Sequence, residues 1–154
     1  MADPAPKTLL QMAGAPLTPS PWDKAALIII DAQMEYVDGG LKLPGIGPAL
    51  DEVGRVLALA RRHGAPVLHV VHHGRPGGMF DLTGPRGQIA PALTPAAGEK
   101  TLAKALPNAF ARPGLHEAIE ATGRNELVVV GFMTHMCVSA TGRAALDLGY
   151  RTTV

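Results

Sequence analysis

The sequence predicts an α/β fold class: a three-layer α/β/α, Rossmann-like domain built on an open parallel sheet. Short continuous apolar runs, typical of strands that are buried on both faces, recur along the chain. Segments with helical spacing alternate with these runs, which is the order expected of a parallel sheet covered by helices. The 154 residues are 47% hydrophobic, enough for one domain with a sizeable core.

The predicted elements follow an N-terminal arm, residues 1–22, which is rich in Pro and Ala and contains a helical turn around Thr8–Met12. The domain itself occupies residues 23–154. Its predicted strands are Ala25–Asp31, Pro66–Val71 and Glu126–Val130, and another begins at Thr152–Val154. Its predicted helices are Pro48–His63, Pro113–Thr122 and a helix from about Met136 to Leu148, and residues 74–98 form a long loop of the kind that lines a site. Because the last strand is so short, we expect the domain to be truncated at its C-terminus.

Charge and composition narrow the classes of partner. Fourteen Lys and Arg residues against thirteen Asp and Glu leave a formal net charge of +1 without a basic run, so we expect no nucleic-acid partner. Apolar stretches fall short of the roughly 18 residues of a membrane span, and the N-terminus lacks a signal-peptide pattern. The single cysteine cannot form an internal disulfide. We therefore expect a cytoplasmic protein that does not bind membranes.

Two reactive side chains lie at the ends of predicted strands. Asp31 closes the first strand, and Cys137 lies where a later strand passes into a helix. Ligands of open parallel sheets bind beyond the carboxyl ends of the strands, so we expect both side chains at one edge. At a helix start, backbone N–H groups and the helix dipole stabilise a thiolate, which makes Cys137 a candidate nucleophile.

Each candidate also has a purely structural interpretation. A free cysteine is commonly a small buried apolar residue. Asp31, the candidate base, is also the residue type of a turn that follows a strand. Lys104, the candidate cation in GEKTLAKALPNAF, is by itself typical of a solvated lysine. Taken singly, these residues leave both interpretations open.

Three segments together resemble a known family. ALIIIDAQMEY, EKTLAKALPNAF and VVVGFMTHMCVSATGRAALDLGY are similar, in this order, to the signature blocks of the isochorismatase-like cysteine hydrolases. The resemblance begins at about Ala25 and is weakest over residues 74–98. It implies a catalytic triad of Asp31, Lys104 and Cys137.

The resemblance also implies a backbone site for the developing oxyanion. It places a cis peptide bond at Phe132–Met133, which would direct the N–H of Met133, together with that of Cys137, at the substrate oxygen. The nicotinamidases of this family carry zinc on an Asp-x-His motif. The residues after Asp31 are instead AQMEYVDGG, so we expect no metal and no cofactor.

Several other side chains are candidates for contact with a small-molecule substrate: Gln33, Tyr36, His73, Phe110, Thr134 and His135. Core packing is the alternative for Phe110, helix capping for Thr134 and exposure for His135. In HVVHHG, alternation places His69 and His73 on one face and His72 on the other; pocket-lining and solvated positions are both open for His72 and His73. By resemblance we also expect a homodimer or homotetramer.

The sequence thus favours a metal-independent cysteine hydrolase that cleaves a small amide, carbamoyl or ureido C–N bond through a thioester. Two alternatives stay open. An isochorismatase-type enzyme would cleave a vinyl ether without a cysteine nucleophile, and Cys137 argues against it. The other is a catalytically silent α/β module for binding or oligomerisation.

Overall fold

The computed structural model describes residues 5–154, which form a five-stranded sheet flanked by helices. The strands are β1 (Ala25–Ile30), β2 (Val67–His72), β3 (Lys100–Lys104), β4 (Glu126–Gly131) and β5 (Arg151–Thr153). The helices are α1 (Leu9–Met12), α2 (Ile46–Arg62), α3 (Leu115–Glu120) and α4 (Ser139–Asp147), with a π-helical turn at Thr134–Val138. Within the described part of the chain, every helix is too short or too polar to cross a bilayer.

The order of the strands creates a crevice beside β1. All neighbouring strands are parallel, in the order β3-β2-β1-β4-β5. The chain adds β2 and β3 on one side of β1 and then returns to its other side with β4 and β5. Open α/β sheets bind ligands at such a switch point, at the carboxyl ends of the strands. Residues that directly follow β1 and β4 therefore lie at the expected binding edge.

Alternate residues of β1 pack into two separate cores, because successive side chains of a strand point to opposite faces. Leu27 and Ile29 share one core with Leu50 and Leu57 of α2. The residues of β1 that face the other way share the second core with α3, with α4 and with the turn that precedes α4. This core contains Ala26, Ile28, Ile30, Leu115, Ile119, Val138 and Ala145. All six residues of β1 are buried. The predicted three-layer α/β/α fold is confirmed.

One strand, β3, was missing from the elements predicted from the sequence. It pairs with β2 in parallel over Lys100 to Lys104, at the edge of the sheet. Its sequence KTLAK has no continuous apolar run, and only Lys104 is buried. An edge strand that is half exposed lacks the hydrophobic signal of a central strand. The segment that carries Lys104 is therefore a strand end instead of an irregular loop.

The N-terminal arm begins with the predicted helical turn, which is confirmed as α1. Thr8 caps α1 through a reciprocal pair of hydrogen bonds with Gln11. None of the residues of α1 is buried. The end of the arm is attached to β5, where the N–H of Ser20 donates to Oγ1 of Thr153 at 2.9 Å. The first four residues of the predicted arm lie outside the described residues.

The long loop, residues 74–98, is attached to the segment that follows β1. The carboxylate of Glu35 is buried and accepts hydrogen bonds from the N–H groups of Gly40 and Phe80. The side chain of Gln33 donates to the carbonyl of Gly87 at 2.7 Å. These contacts hold the loop over the carboxyl ends of β1 and β2.

Gly131, the last residue of β4, has a conformation that only glycine adopts readily. Its φ is +132°, and an added Cβ would overlap with the carbonyl oxygen of Ile30 in β1. We expect Gly131→Ala to destabilise the protein by about 3 kcal/mol or more, because strain and overlap add. For a domain of this size the midpoint of thermal unfolding would fall by roughly 6–12 °C.

Gly47 provides the matched control for this substitution. It is exposed within α2, and an added Cβ would have no neighbour within 4 Å. Gly47→Ala is expected to leave the unfolding midpoint unchanged or to raise it, since alanine favours a helix by up to about 1 kcal/mol. Equal midpoints for the two variants would contradict the close approach at Gly131.

Candidate active site

Asp31 directly follows β1 and turns the chain out of the sheet. Its φ is +51°, in the left-handed region that aspartate tolerates better than most residues, and its N–H donates to the carbonyl of Val70 at 2.8 Å. The side chain is fully buried. Its Oδ2 accepts from Nζ of Lys104 at 2.7 Å, whereas its Oδ1 has no hydrogen-bond partner among residues 5–154. One carboxylate oxygen is therefore bound to a cation, and the other is available to accept a hydrogen bond or a proton.

Lys104 ends β3 and reaches across the end of β2 to the crevice. Its side chain is buried, and the pairing of β2 with β3 continues past it, since the N–H of His73 donates to its carbonyl at 2.7 Å. Besides Asp31, Nζ contacts Sγ of Cys137 at 3.2 Å and Nδ1 of His72 at 3.3 Å. An ammonium group has three N–H donors, so these three contacts use all of them.

Cys137 lies in the π-helical turn between β4 and α4 and is buried. The peptide bond between Phe132 and Met133 is cis, which confirms the cis bond implied by the family resemblance. The carbonyl of Met133 accepts from the N–H groups of Met136 and Val138. The N–H of Met133 itself donates to no backbone carbonyl within residues 5–154. This donor lies four residues before the thiol, and its oxyanion role stays a prediction.

The electrostatics of the site favour a protonated thiol at rest. Burial raises the pKa of Cys137, the charge of Asp31 raises it further, and Lys104 opposes both. Burial therefore opposes the stabilisation of a thiolate that is expected at the helix start, and that expectation stays a prediction. Burial also raises the pKa of Asp31 above its ordinary value, although Lys104 acts in the opposite direction. Both groups thus retain protons to higher pH than in solvent.

Three side chains of the site are also potential metal ligands. One ligand atom each from Asp31, His72 and Cys137 lie within 4.8 Å of one another. Nζ of Lys104 contacts all three side chains at 2.7 to 3.3 Å, so an ammonium group already lies among these atoms. As arranged, this donor set fits an ammonium group and does not fit a metal.

Two of the predicted substrate-contacting residues, Tyr36 and His73, lie near the triad or next to His72. Tyr36 is buried close to the triad, where burial and the charges of Asp31 and Cys137 raise its pKa. His73 is exposed and lines a cavity of about 650 Å³ next to His72.

The other predicted substrate-contacting side chains bind backbone groups, pack in the core or line a different cavity. The amide of Gln33 makes three hydrogen bonds to the backbone of His72 and Gly87, so this side chain is occupied. The ring of Phe110 stacks on that of Tyr150 with centroids 6.1 Å apart, which agrees with its core interpretation. Thr134 and His135 are exposed and line a different cavity of about 590 Å³ beside α4.

Two residues of the site were not singled out from the sequence. His72 contacts Lys104, but the sequence did not separate it from its neighbour His73. Thr141 is fully buried on α4, and its Oγ1 accepts from the N–H of Ala109 at 3.1 Å. This bond attaches the segment after Lys104 to the helix that follows Cys137. No simple signal marks it, since an interior threonine occurs in many helices.

Comparisons with known proteins agree with this geometry. The protein-family model described as isochorismatase domain matches residues 25–154 of this chain. The chain is 36% identical over 140 residues to the secreted isochorismatase effector Isc1 of Verticillium dahliae, covering 90% of this chain and 74% of the relative. It is 31% identical over 148 residues to a maleamate amidohydrolase of Pseudomonas putida, covering 85% of this chain and 70% of that protein. The name of the Verticillium relative describes it as secreted, so a cytoplasmic location stays a prediction for this chain.

A solved structure shows the same fold. The crystal structure of an isochorismatase from Pseudomonas putida superposes with a TM-score of 0.89 at 45% sequence identity, covering 96% of this chain and 76% of that one. The resemblance noted from three sequence blocks is therefore confirmed over most of the chain. The match of the family model and these relatives show that this protein is a hydrolase and that it belongs to the isochorismatase family.

Proposed function

We propose that this protein is a metal-independent cysteine hydrolase that cleaves the C–N bond of a small amide, carbamoyl or ureido compound through a thioester on Cys137. The position of Lys104 carries this proposal: its Nζ contacts both Oδ2 of Asp31 and Sγ of Cys137, while Oδ1 of Asp31 is buried and unpaired. The relative named as an amidohydrolase supports the choice of an amide-type bond.

Acylation begins with a proton transfer. Oδ1 of Asp31 takes the proton of the Cys137 thiol, and Sγ attacks the carbonyl carbon of the substrate. The ammonium group of Lys104 stabilises the negative charge that moves from the carboxylate to the sulfur. The N–H groups of Met133 and Cys137 donate to the carbonyl oxygen as it becomes an oxyanion.

Collapse of the tetrahedral intermediate releases the nitrogen. The protonated Asp31 gives its proton to the leaving nitrogen, the C–N bond breaks, and ammonia or an amine departs. Water then attacks the thioester with Asp31 as its base, and the proton taken from water passes to Sγ, which restores the thiol. An amide substrate yields a carboxylic acid, and a carbamoyl or ureido substrate yields a carbamic acid that breaks down to CO₂ and an amine. The sum of the two steps is hydrolysis of one amide-type bond by one water molecule.

The directions of the two pKa values support this sequence of proton transfers. A raised pKa keeps Cys137 as a thiol until its base acts. A raised pKa also brings the titration of the Asp31 carboxyl group closer to neutral pH, so that this group can serve first as a base and then as an acid. The cavity of about 650 Å³ beside His72 suits a small-molecule substrate.

Ammonia release from a panel of small amides tests the proposal. The panel contains maleamate, N-carbamoylsarcosine and simple carboxamides, with isochorismate as the vinyl ether. We expect ammonia from at least one amide, equal rates with and without a chelator, and an acyl adduct on Cys137 in the intact mass of the quenched enzyme.

Each contrary result identifies an alternative. Turnover of the vinyl ether alone would indicate the isochorismatase-type reaction. Loss of amide turnover with chelator would indicate a metal enzyme. An absence of turnover across the panel, together with no adduct, would favour the binding module.

A further inference from the structure

His72 ends β2 at the rim of the candidate site, and its position is determined from two sides. Its N–H donates to Oε1 of Gln33 at 2.7 Å, and its carbonyl accepts from Nε2 of the same side chain at 3.0 Å. The ring of Phe80 packs against the imidazole edge to face, with centroids 5.1 Å apart. The imidazole is therefore held in place without any bond to a substrate.

The contact with Lys104 determines which nitrogen of His72 carries the proton. Nζ lies 3.3 Å from Nδ1 of the imidazole and donates its other hydrogens to Asp31 and Cys137. An ammonium group donates hydrogen bonds and accepts none, so Nδ1 must be the acceptor and is unprotonated. Burial and the charge of Lys104 lower the pKa of His72. At neutral pH the ring is then neutral, with its single proton on Nε2.

The proton on Nε2 has no acceptor among the residues that the structure describes. Among residues 5–154, Nε2 of His72 takes part in no hydrogen bond, in contrast to Nδ1. The residue is partly exposed and lines the cavity of about 650 Å³, together with Arg75, Met79, Phe80 and Ala105. A polar donor in a fixed position at the wall of a cavity is a group to which an oxygen of a ligand can bind in place of water.

We propose that His72 positions Lys104 through Nδ1 and selects substrates through Nε2–H, which donates to an oxygen of the substrate outside the scissile group. Carbonyl and carboxylate oxygens both have the required acceptor chemistry. This inference rests on the proposed function, because it requires that the amide attacked by Cys137 extend into the cavity that His72 lines. His72 itself makes and breaks no covalent bond.

The tautomer is measured directly by nitrogen NMR on the full chain labelled with ¹⁵N-histidine. The spectrum of His72→Gln identifies the signals of His72 among those of the six histidines. At neutral pH we expect a protonated Nε2 and an unprotonated Nδ1. A proton on Nδ1, or an imidazolium, would overturn the proposal.

Two near-isosteric substitutions separate the two roles. In His72→Asn, the amide oxygen is placed near the position of Nδ1, and no donor reaches the position of Nε2. In His72→Gln, an N–H donor reaches the position of Nε2, and the acceptor for Lys104 is lost. With the best amide of the panel, we expect His72→Asn to raise KM about tenfold with kcat nearly unchanged. We expect His72→Gln to lower kcat about tenfold with KM nearly unchanged.

Controls distinguish these roles from packing and from failure of the proposed function. His63→Gln, at an exposed position after α2, is expected to match the wild type. Equal losses in His72→Asn, His72→Gln and His72→Leu would show a packing role only and overturn the inference. If no amide is turned over, the proposed function fails, and the substrate-selecting role of His72 fails with it. The NMR spectrum then still decides whether Nδ1 accepts from Lys104.

Discussion

Replacement of Cys137 with alanine is expected to lower amide hydrolysis by at least about 10⁴-fold, because the only group that can form the thioester is removed. Lys104 and Asp31 keep their mutual hydrogen bond of 2.7 Å in this variant. The loss of one buried sulfur costs about 1 kcal/mol, so the midpoint of thermal unfolding should fall by only a few degrees. Ammonia release and thermal unfolding measure the two effects on the same samples.

Met136→Ala is the matched control for Cys137→Ala. Met136 is the preceding residue in the same π-helical turn, and its side chain is 42% exposed. It therefore reports any general disturbance of the turn without removing the thiol. We expect near wild-type turnover for Met136→Ala. Hydrolysis that persists in Cys137→Ala would remove the nucleophile from the mechanism.

Replacement of Asp31 with asparagine is expected to separate turnover from thiol reactivity. Turnover should fall by about 10³-fold or more, since the group that moves both protons is lost. Alkylation of Cys137 by iodoacetamide at pH 7 should become faster. The pKa of this thiol is raised first by burial and next by the charge of Asp31, whereas Lys104 lowers it. Removing the carboxylate therefore lowers the thiol pKa and increases the thiolate fraction.

The pH dependence of alkylation gives the sign of this effect. In the wild type, the rate should rise with pH and reach its midpoint above the ordinary thiol value of about 8.5. In Asp31→Asn the midpoint should move to lower pH. Asp23→Asn, at an exposed position before β1, serves as the control and should follow the wild-type profile. An unchanged midpoint in Asp31→Asn would show that Asp31 does not control the thiol, and a higher midpoint would show that its carboxylate promotes ionisation of the thiol instead of opposing it.

Local patterns in the sequence were sufficient for the central strands and for two of the three triad positions. The apolar runs that became β1 and β4 are buried on both faces, which is why they carry no alternation. Because parallel strands end at a common edge, the placement of Asp31 and Cys137 after two such runs predicted their convergence. Lys104 was found only through the resemblance, since its strand has no hydrophobic run.

Tertiary contacts decided the roles of neighbouring polar residues. Gln33 follows Asp31 closely in the chain and was expected to face the substrate. Its amide instead bonds to backbone groups of His72 and Gly87, which are 39 and 54 residues away in sequence. Buried amides require partners, and the sequence does not show which distant carbonyls approach them. The same holds for the pKa of Cys137, which is raised by burial and by the charge of Asp31.

By itself, the sequence determined the three-layer fold, the edge of the sheet at which chemistry is expected, and a candidate nucleophile and base. Only the tertiary structure decided that Lys104 ends an edge strand, that burial raises the pKa of the thiol, and that His72 instead of His73 contacts the ammonium group. The physical reason is the range of the interactions. Strand burial is encoded in adjacent residues, whereas hydrogen-bond partners and desolvation depend on groups that the fold brings together from distant parts of the chain.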